Sequence, residues 1–209
     1  GTLNFAAGDP SLPINVTVNG DTDPEPTETF KVLLSNASPG ATISDGEGIG
    51  TITFDDPPPV VYVDDDWAAV PNGTDPDGGG PATAMGYDAF ATIQGGVTGV
   101  AVGGTVIVHP GSYPEAITIN KAVIINGSGS GTNPAVDTVI DGSVAGASFY
   151  DSAITLLTGG ISADPSERTS ITDIRVRGTQ YNSFNFGGSA SDNASVHHVT
   201  LERVVADGG

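Results

Sequence analysis

The sequence predicts an all-β protein in two parts, with a single short helix near the start of the second. Three observations predict this. Apolar and polar residues alternate with period two up to Asp56. Short apolar runs bounded by Gly, Asn or Asp recur from Gly103 onward. Between the two patterns stand three consecutive prolines, Pro57 to Pro59. The 30 glycines and 15 prolines fit β structure interrupted by many turns.

In the first part, Ile14, Val16 and Val18 alternate with Asn15, Thr17 and Asn19. Phe30, Val32 and Leu34 share one face of a second run, and Ile52 and Phe54 one face of a third. Such alternation predicts half-buried antiparallel strands, as in a sandwich. The turn-rich stretches NGDTDPEP, SPG and DGEG separate them. The unit is short for a whole sandwich, so the chain is expected to be a piece of a larger protein.

The prolines cannot donate to a ladder and favour a stiff, extended chain, which makes residues 57–61 the expected linker. A strand, VVYV, then runs into Asp64, Asp65, Asp66 and Trp67. PNGTDPDGGGP reads as a loop. In GYDAFATIQGGVTGV, Phe90, Ile93, Val97 and Val100 recur at helical spacing, with Asp88 as the expected N-cap. Gly95, Gly96 and Gly99 each weaken that helix by about 1 kcal/mol relative to Ala, so it is short and needs tertiary support. Beyond it lie TVIVHPG, EAITINK, AVIING, DTVIDG, AITLLTGG, ITDIRVRG and HVTLERVV. No two-residue hairpin turn joins these regularly. The pattern suits a solenoid in which each coil buries its apolar face on the next, although its period is irregular.

With 25 Asp plus Glu against 6 Lys plus Arg, the chain carries a net charge of −19. It lacks the basic face that nucleic acid or an anionic membrane requires. No run of residues is apolar enough for direct membrane insertion. Without cysteine there is neither a disulfide nor a thiolate metal site. Divalent cations and neutral glycans remain as partners.

Residues 1–56 resemble a Calx-beta domain. GTLNFAAG, INVTVNGD, DPEPTETFKVLLSN and the closing GEGIGTITFDD carry the resemblance. It implies an Ig-like sandwich, here truncated at its N-terminal side, with Ca²⁺ as cofactor in those members that bind it. Residues 62–209 look like the N-terminal part of a right-handed parallel β-helix of the pectin-lyase-like class, with a capping helix at AFATIQGGV and first coils at GGTVIVHPGSYPEAITINKAVIING. That fold serves lyases, hydrolases, adhesins and surface proteins alike, so it does not give a function.

Asp21, Asp23, Glu25 and Glu28 crowd the approach to the strand TFKVLL, where they repel one another unless water screens them or a cation sits among them. The resemblance assigns the metal positions to Asp21, Glu25, Asp55 and Asp56, with Asp23 and Glu28 nearby. A further acid that the family uses lies in strands outside this chain. Ca²⁺ takes about 6–8 oxygen ligands, which loop carboxylates supply. Asp64, Asp65, Asp66, Asp75 and Asp77 form a second acidic group, but DPDGGG departs from a calcium-loop spacing and reads as a charged capping loop.

The lone Trp67 reads as a core plug rather than a sugar platform, and Tyr62, Tyr87 and Tyr113 as packing residues. His109, His197 and His198 stand in no recognisable catalytic constellation. Asp173, Arg175 and Arg177 alternate onto one strand face, as an ion-paired ladder would. Five Asn-x-Ser/Thr triplets, at Asn15, Asn36, Asn72, Asn126 and Asn193, are what chance gives in this composition. No catalytic residue is expected within the chain. The expected function is that of a secreted or cell-surface modular protein: a calcium-binding module joined to a β-helix that serves adhesion or contact with glycans or surface proteins. The alternatives are part of a secreted polysaccharide lyase or glycosidase with downstream catalytic coils, and a non-binding spacer.

Overall fold

The computed structural model describes residues 1–144, 152–157, 168–179, 183–187 and 198–208. His197 and Asn193 lie outside them. The described residues are almost entirely strand, turn and loop, with one α-helix and two 3₁₀ turns.

Before the prolines, β1 (Glu28–Leu33) and β2 (Glu47–Ile52) form an antiparallel ladder. Phe30 lies opposite Gly50, where a Cβ would come within 2.2 Å of its ring, so the glycine makes room for the aromatic side chain. Phe30 and Val32 are half-buried on that face. The strand expected at Ile14 to Val18 does not form. Those residues pair with nothing in the ladder, and Ile14, Val16 and Val18 are 46%, 48% and 53% exposed. Alternation selects a face only where a second layer covers it, and the described residues put no such layer there.

Among the described residues from Val60 onward, every strand pairing is parallel. The strands are β3 (Val60–Val63), β4 (Ala89–Phe90), β5 (Thr105–Val108), β6 (Gly111–Tyr113), β7 (Ile117–Ile119), β8 (Ile124–Asn126), β9 (Thr138–Asp141), β10 (Ile154–Leu156), β11 (Thr169–Thr179), β12 (Phe184–Phe186) and β13 (Val199–Gly208). Each of the seven apolar runs read from the sequence carries one of them. The ladder starts two residues earlier than the expected linker ends: Val60 and Val61 are already strand, and Val61 is fully buried. Pro58 is buried too, and the Pro58 and Pro59 carbonyls accept from Ala101 N and Thr105 N at 2.9 Å each. The prolines donate nothing, yet their carbonyls fasten the segment to the stack.

The parallel strands fall into three columns. Val61, Val106, Ile125 and Ile171 stack in register in the first. Tyr113, Ile140 and Val176 stack in the second. Ile117 lies beside Ile154, and Ile119 beside Leu156, in the third. All of these side chains are buried and belong to one core cluster. The pairs Ile154↔Phe184, Thr169↔Val199 and Arg175↔Val205 are each thirty residues apart, whereas earlier circuits differ in length. Insertions between the columns therefore mask the period in the sequence.

β11 and β13 each serve two columns by bending. Asp173 (φ 55°) and Arg203 (φ 49°) are left-handed at the bends. Residue 173 interrupts the alternation, so Ile171 and Ile174 are both buried. Arg175 and Arg177 still flank the buried Val176 on the outer face, as the sequence suggested.

The helix α1 (Ile93–Gly99) is shorter than its periodicity implied, because Phe90 belongs to β4. Its N-cap is Thr92, whose hydroxyl accepts from Gly95 N at 3.1 Å, and not Asp88. A seven-residue helix does not hold in water by itself, and it has no acid in its first turn and no base in its last. Both charges come from elsewhere in the chain. The Glu115 carboxylate accepts from Ile93 N (2.7 Å) and Gln94 N (2.9 Å). Lys121 Nζ donates to the Thr98 carbonyl (3.0 Å) and, more closely, to that of Val100. This satisfies orphan groups at both ends and complements the helix dipole. Ile93, Val97 and Val100 point into the core. Gly96 allows the close approach: a Cβ there would meet Val63 Cγ2 at 2.7 Å and Val106 Cγ1 at 3.0 Å.

Two tests follow from this helix. Gly96→Ala should destabilise the fold in thermal or urea unfolding despite its better helix propensity, since overpacking costs about 1–3 kcal/mol against a propensity gain of about 1. Glu115→Ala should cost about 1–3 kcal/mol by leaving two amides unpaired. Burial pushes the Glu115 carboxyl above its ordinary value, with the amides of Gln94 and Ile93 pulling it back. Folding thus favours the protonated form, and this group's contribution to stability falls as pH rises through the carboxylate range. In a pH series of melts, Glu115→Gln should lack that decline.

Candidate cation-binding cleft

The loop from Asn19 to Glu28 and the residues after β2 face each other across an open cleft of about 360 Å³. Its lining includes Asp21, Glu25, Asp55 and Asp56, the residues named from the sequence, together with Asp23 and Glu28. Two acidic groups about thirty residues apart in sequence thus come to one place, and no basic side chain lines it. The loop is local in origin: Asp21 Oδ1 accepts from Asp23 N at 2.9 Å, an Asx turn that Pro24 and Pro26 prolong by keeping the chain out of a ladder.

The donor set is all oxygen, which suits a hard divalent cation. The carboxylates line the cleft without closing on one point, since no three His, Asp or Glu groups among the described residues stand close enough to share an ion. The lining carboxylates are oxygen donors of the kind a hard divalent cation takes, and holding one would require the loop to draw toward Asp55 and Asp56.

The cleft adjoins the parallel stack. The Phe54 ring, part of its lining, meets the Tyr87 ring edge-on at a centroid distance of 5.3 Å. Tyr87 is 7% exposed. Burial raises its hydroxyl above the ordinary value, and the charges of Asp88, Glu25 and Asp56 raise it further.

The second acidic group does different work. Asp64 caps a 3₁₀ turn by accepting from Asp66 N (3.0 Å) and also meets His109 Nδ1 at 3.0 Å. Asp65 accepts from Ser112 N (3.2 Å). Asp75 accepts from the amides of Asp77 and Gly78, and Asp77 from those of Gly80 and Ala82. Asp66 alone of the five accepts nothing from these amides. Four of these acids thus hold loops together by satisfying backbone donors. Asp88 does so most completely: its buried carboxylate accepts from Thr83 N, Thr83 Oγ1 and Ala84 N.

Trp67 is 7% exposed and packs with Ala82, Met85 and Ala89, as a core plug should. Tyr113 is fully buried and donates to the His109 carbonyl at 2.9 Å. The Asp64–His109 pair was not legible in the sequence, because its partners lie forty-five residues apart and meet only through the β3–β5 ladder. Trp67 lies edge-on to the imidazole at 5.5 Å, and the pair fastens the acidic turn to the stack. His198 sits at the start of β13 with φ 57°. Arg175 donates to the Ser130 and Gly131 carbonyls and pairs with Asp207, Arg177 pairs with Asp141, and Arg203 with Asp173. The Arg203 hydrogen bond holds the Asp173 carboxyl below its usual range. These pairs tie neighbouring circuits together.

No known protein family, curated protein or solved structure matches the chain.

Replacing Asp88 by Ala should cost roughly 3 kcal/mol or more, because it strands buried amides of Thr83 and Ala84 that a charged acceptor now satisfies. Asp66→Ala, at an exposed position, should change stability by less than about 0.5 kcal/mol. Urea unfolding of the two variants side by side measures the difference.

Proposed function

We propose that the chain is part of an extracellular or cell-surface modular protein that binds Ca²⁺ in its first unit. In this reading residues 1–56 belong to an Ig-like sandwich of the Calx-beta kind. Residues 62–209 begin a right-handed parallel β-helix whose long side serves adhesion or contact with glycans or surface proteins. The observation that carries the calcium reading is the meeting of Asp21, Glu25, Asp55 and Asp56 in one cleft with no basic side chain. No basic residue among those lining the cleft neutralises that charge, and a divalent cation would. The three in-register parallel columns support the β-helix reading. So does the helix laid across the first strands, since a stacked core needs a cap on its exposed end.

A cation that binds only the folded arrangement stabilises it by mass action, by about 2.7 kcal/mol at a hundredfold excess over Kd. Thermal melts of the protein in chelator, in millimolar Ca²⁺ and in millimolar Mg²⁺ test this. Ca²⁺ should raise Tm and Mg²⁺ should do so far less, because Mg²⁺ demands tighter octahedral geometry than an open loop offers. Asp56→Asn should abolish the rise. Coincident curves in all three buffers would sink the calcium reading for this chain.

A further inference from the structure

We propose that the junction between the β1–β2 ladder and the parallel stack is a charge-gated hinge, closed by an aromatic contact and opened at low ionic strength by like charges on its rim. The closing contact is Phe54 on Tyr87, with rings 5.3 Å apart at 69°. Phe54, Pro57, Phe90 and Gly95 line an apolar groove of about 510 Å³ beside it. On one side of the junction the chain is immobilised, through buried Pro58 and the amides of Ala101 and Thr105 on the proline carbonyls. On the other side Phe54 is 40% exposed, so its contact is partial. Only Asp55 and Asp56 separate Phe54 from Pro57. Any rotation of the ladder on the stack passes through these two acids.

The edge-on aromatic pair favours the closed junction beyond the burial of its rings. Opposing it, the charges of Glu25 and Asp56 on the ladder side and of Asp88 on the stack side converge on Tyr87, and neither the cleft nor the groove is lined by a basic residue. Like charges held across the junction repel through water, in opposition to the aromatic contact. Screening then decides the balance: the Debye length is about 30 Å at 0.01 M salt and about 3 Å at 1 M. The hinge needs no ion in the cleft and stands apart from the calcium reading.

The chain has no cysteine, so Ser38→Cys in the ladder unit and Val102→Cys in the stack give two unique spin-label positions. Their distance distribution is measured in the whole chain, with chelator present throughout, at about 0.01 M and about 0.5 M NaCl. The expected result is one narrow distribution at high salt and a broad one at low salt. Phe54→Ala should broaden it at both. Glu25→Gln combined with Asp56→Asn should give the narrow distribution even at low salt, with far-UV circular dichroism reporting that each variant is folded. A distribution that ignores salt, or a neutralised variant that stays broad at low salt, overturns the proposal. Should the Ca²⁺ melts fail while the salt response holds, the cation reading falls and the hinge stands.

Discussion

The stack that the described residues build beyond Pro59 depends on parallel register. Val61, Val106, Ile125 and Ile171 lie one beside the next, each buried, and the same holds for Tyr113, Ile140 and Val176. A slip of one residue in any circuit would turn its apolar side chains outward. Register therefore constrains every connection, however long. It also creates a difficulty at the first circuit, whose inner face has no predecessor to cover it. The short helix covers it, and because that helix cannot stand alone, Glu115 and Lys121 reach it from later in the chain. The cap and the columns hold each other in place.

One residue type, the carboxylate, is used in three ways. Asp64, Asp65, Asp75, Asp77, Asp88 and Glu115 accept from backbone amides and close loops. Asp141, Asp173 and Asp207 pair with arginines across neighbouring circuits. Asp21, Glu25, Asp55 and Asp56 line a cleft that contains neither a basic group nor a ladder of amides. Apart from the Asx turn that Asp21 closes on Asp23 N, none of this last set accepts a hydrogen bond or pairs with a base among the described residues, and for that reason it carries the functional reading. A chain of net charge −19 would spend some acids on solubility alone. Those acids need not gather in one cleft, and these do.

The sequence alone determined much of this. Strands were legible where short apolar runs lay between Gly, Asn and Asp beyond Gly103, and so was the plugging role of Trp67. These are local signals: period, turn chemistry and charge. The sequence misjudged Ile14 to Val18, where alternation is present but the described residues supply no covering layer. It misplaced the helix start, because Phe90 fits the helical period and still pairs in β4 with β3. Only the tertiary structure decided which acids are structural. Asp88 reads in the sequence as a helix N-cap and Glu115 as any other exposed acid, and their actual amide partners are set by how loops return to the stack. Only the tertiary structure, too, brought Asp64 to His109 and Phe54 to Tyr87. Period and turn chemistry act over a few residues, whereas these pairings depend on parallel ladders that join residues tens of positions apart.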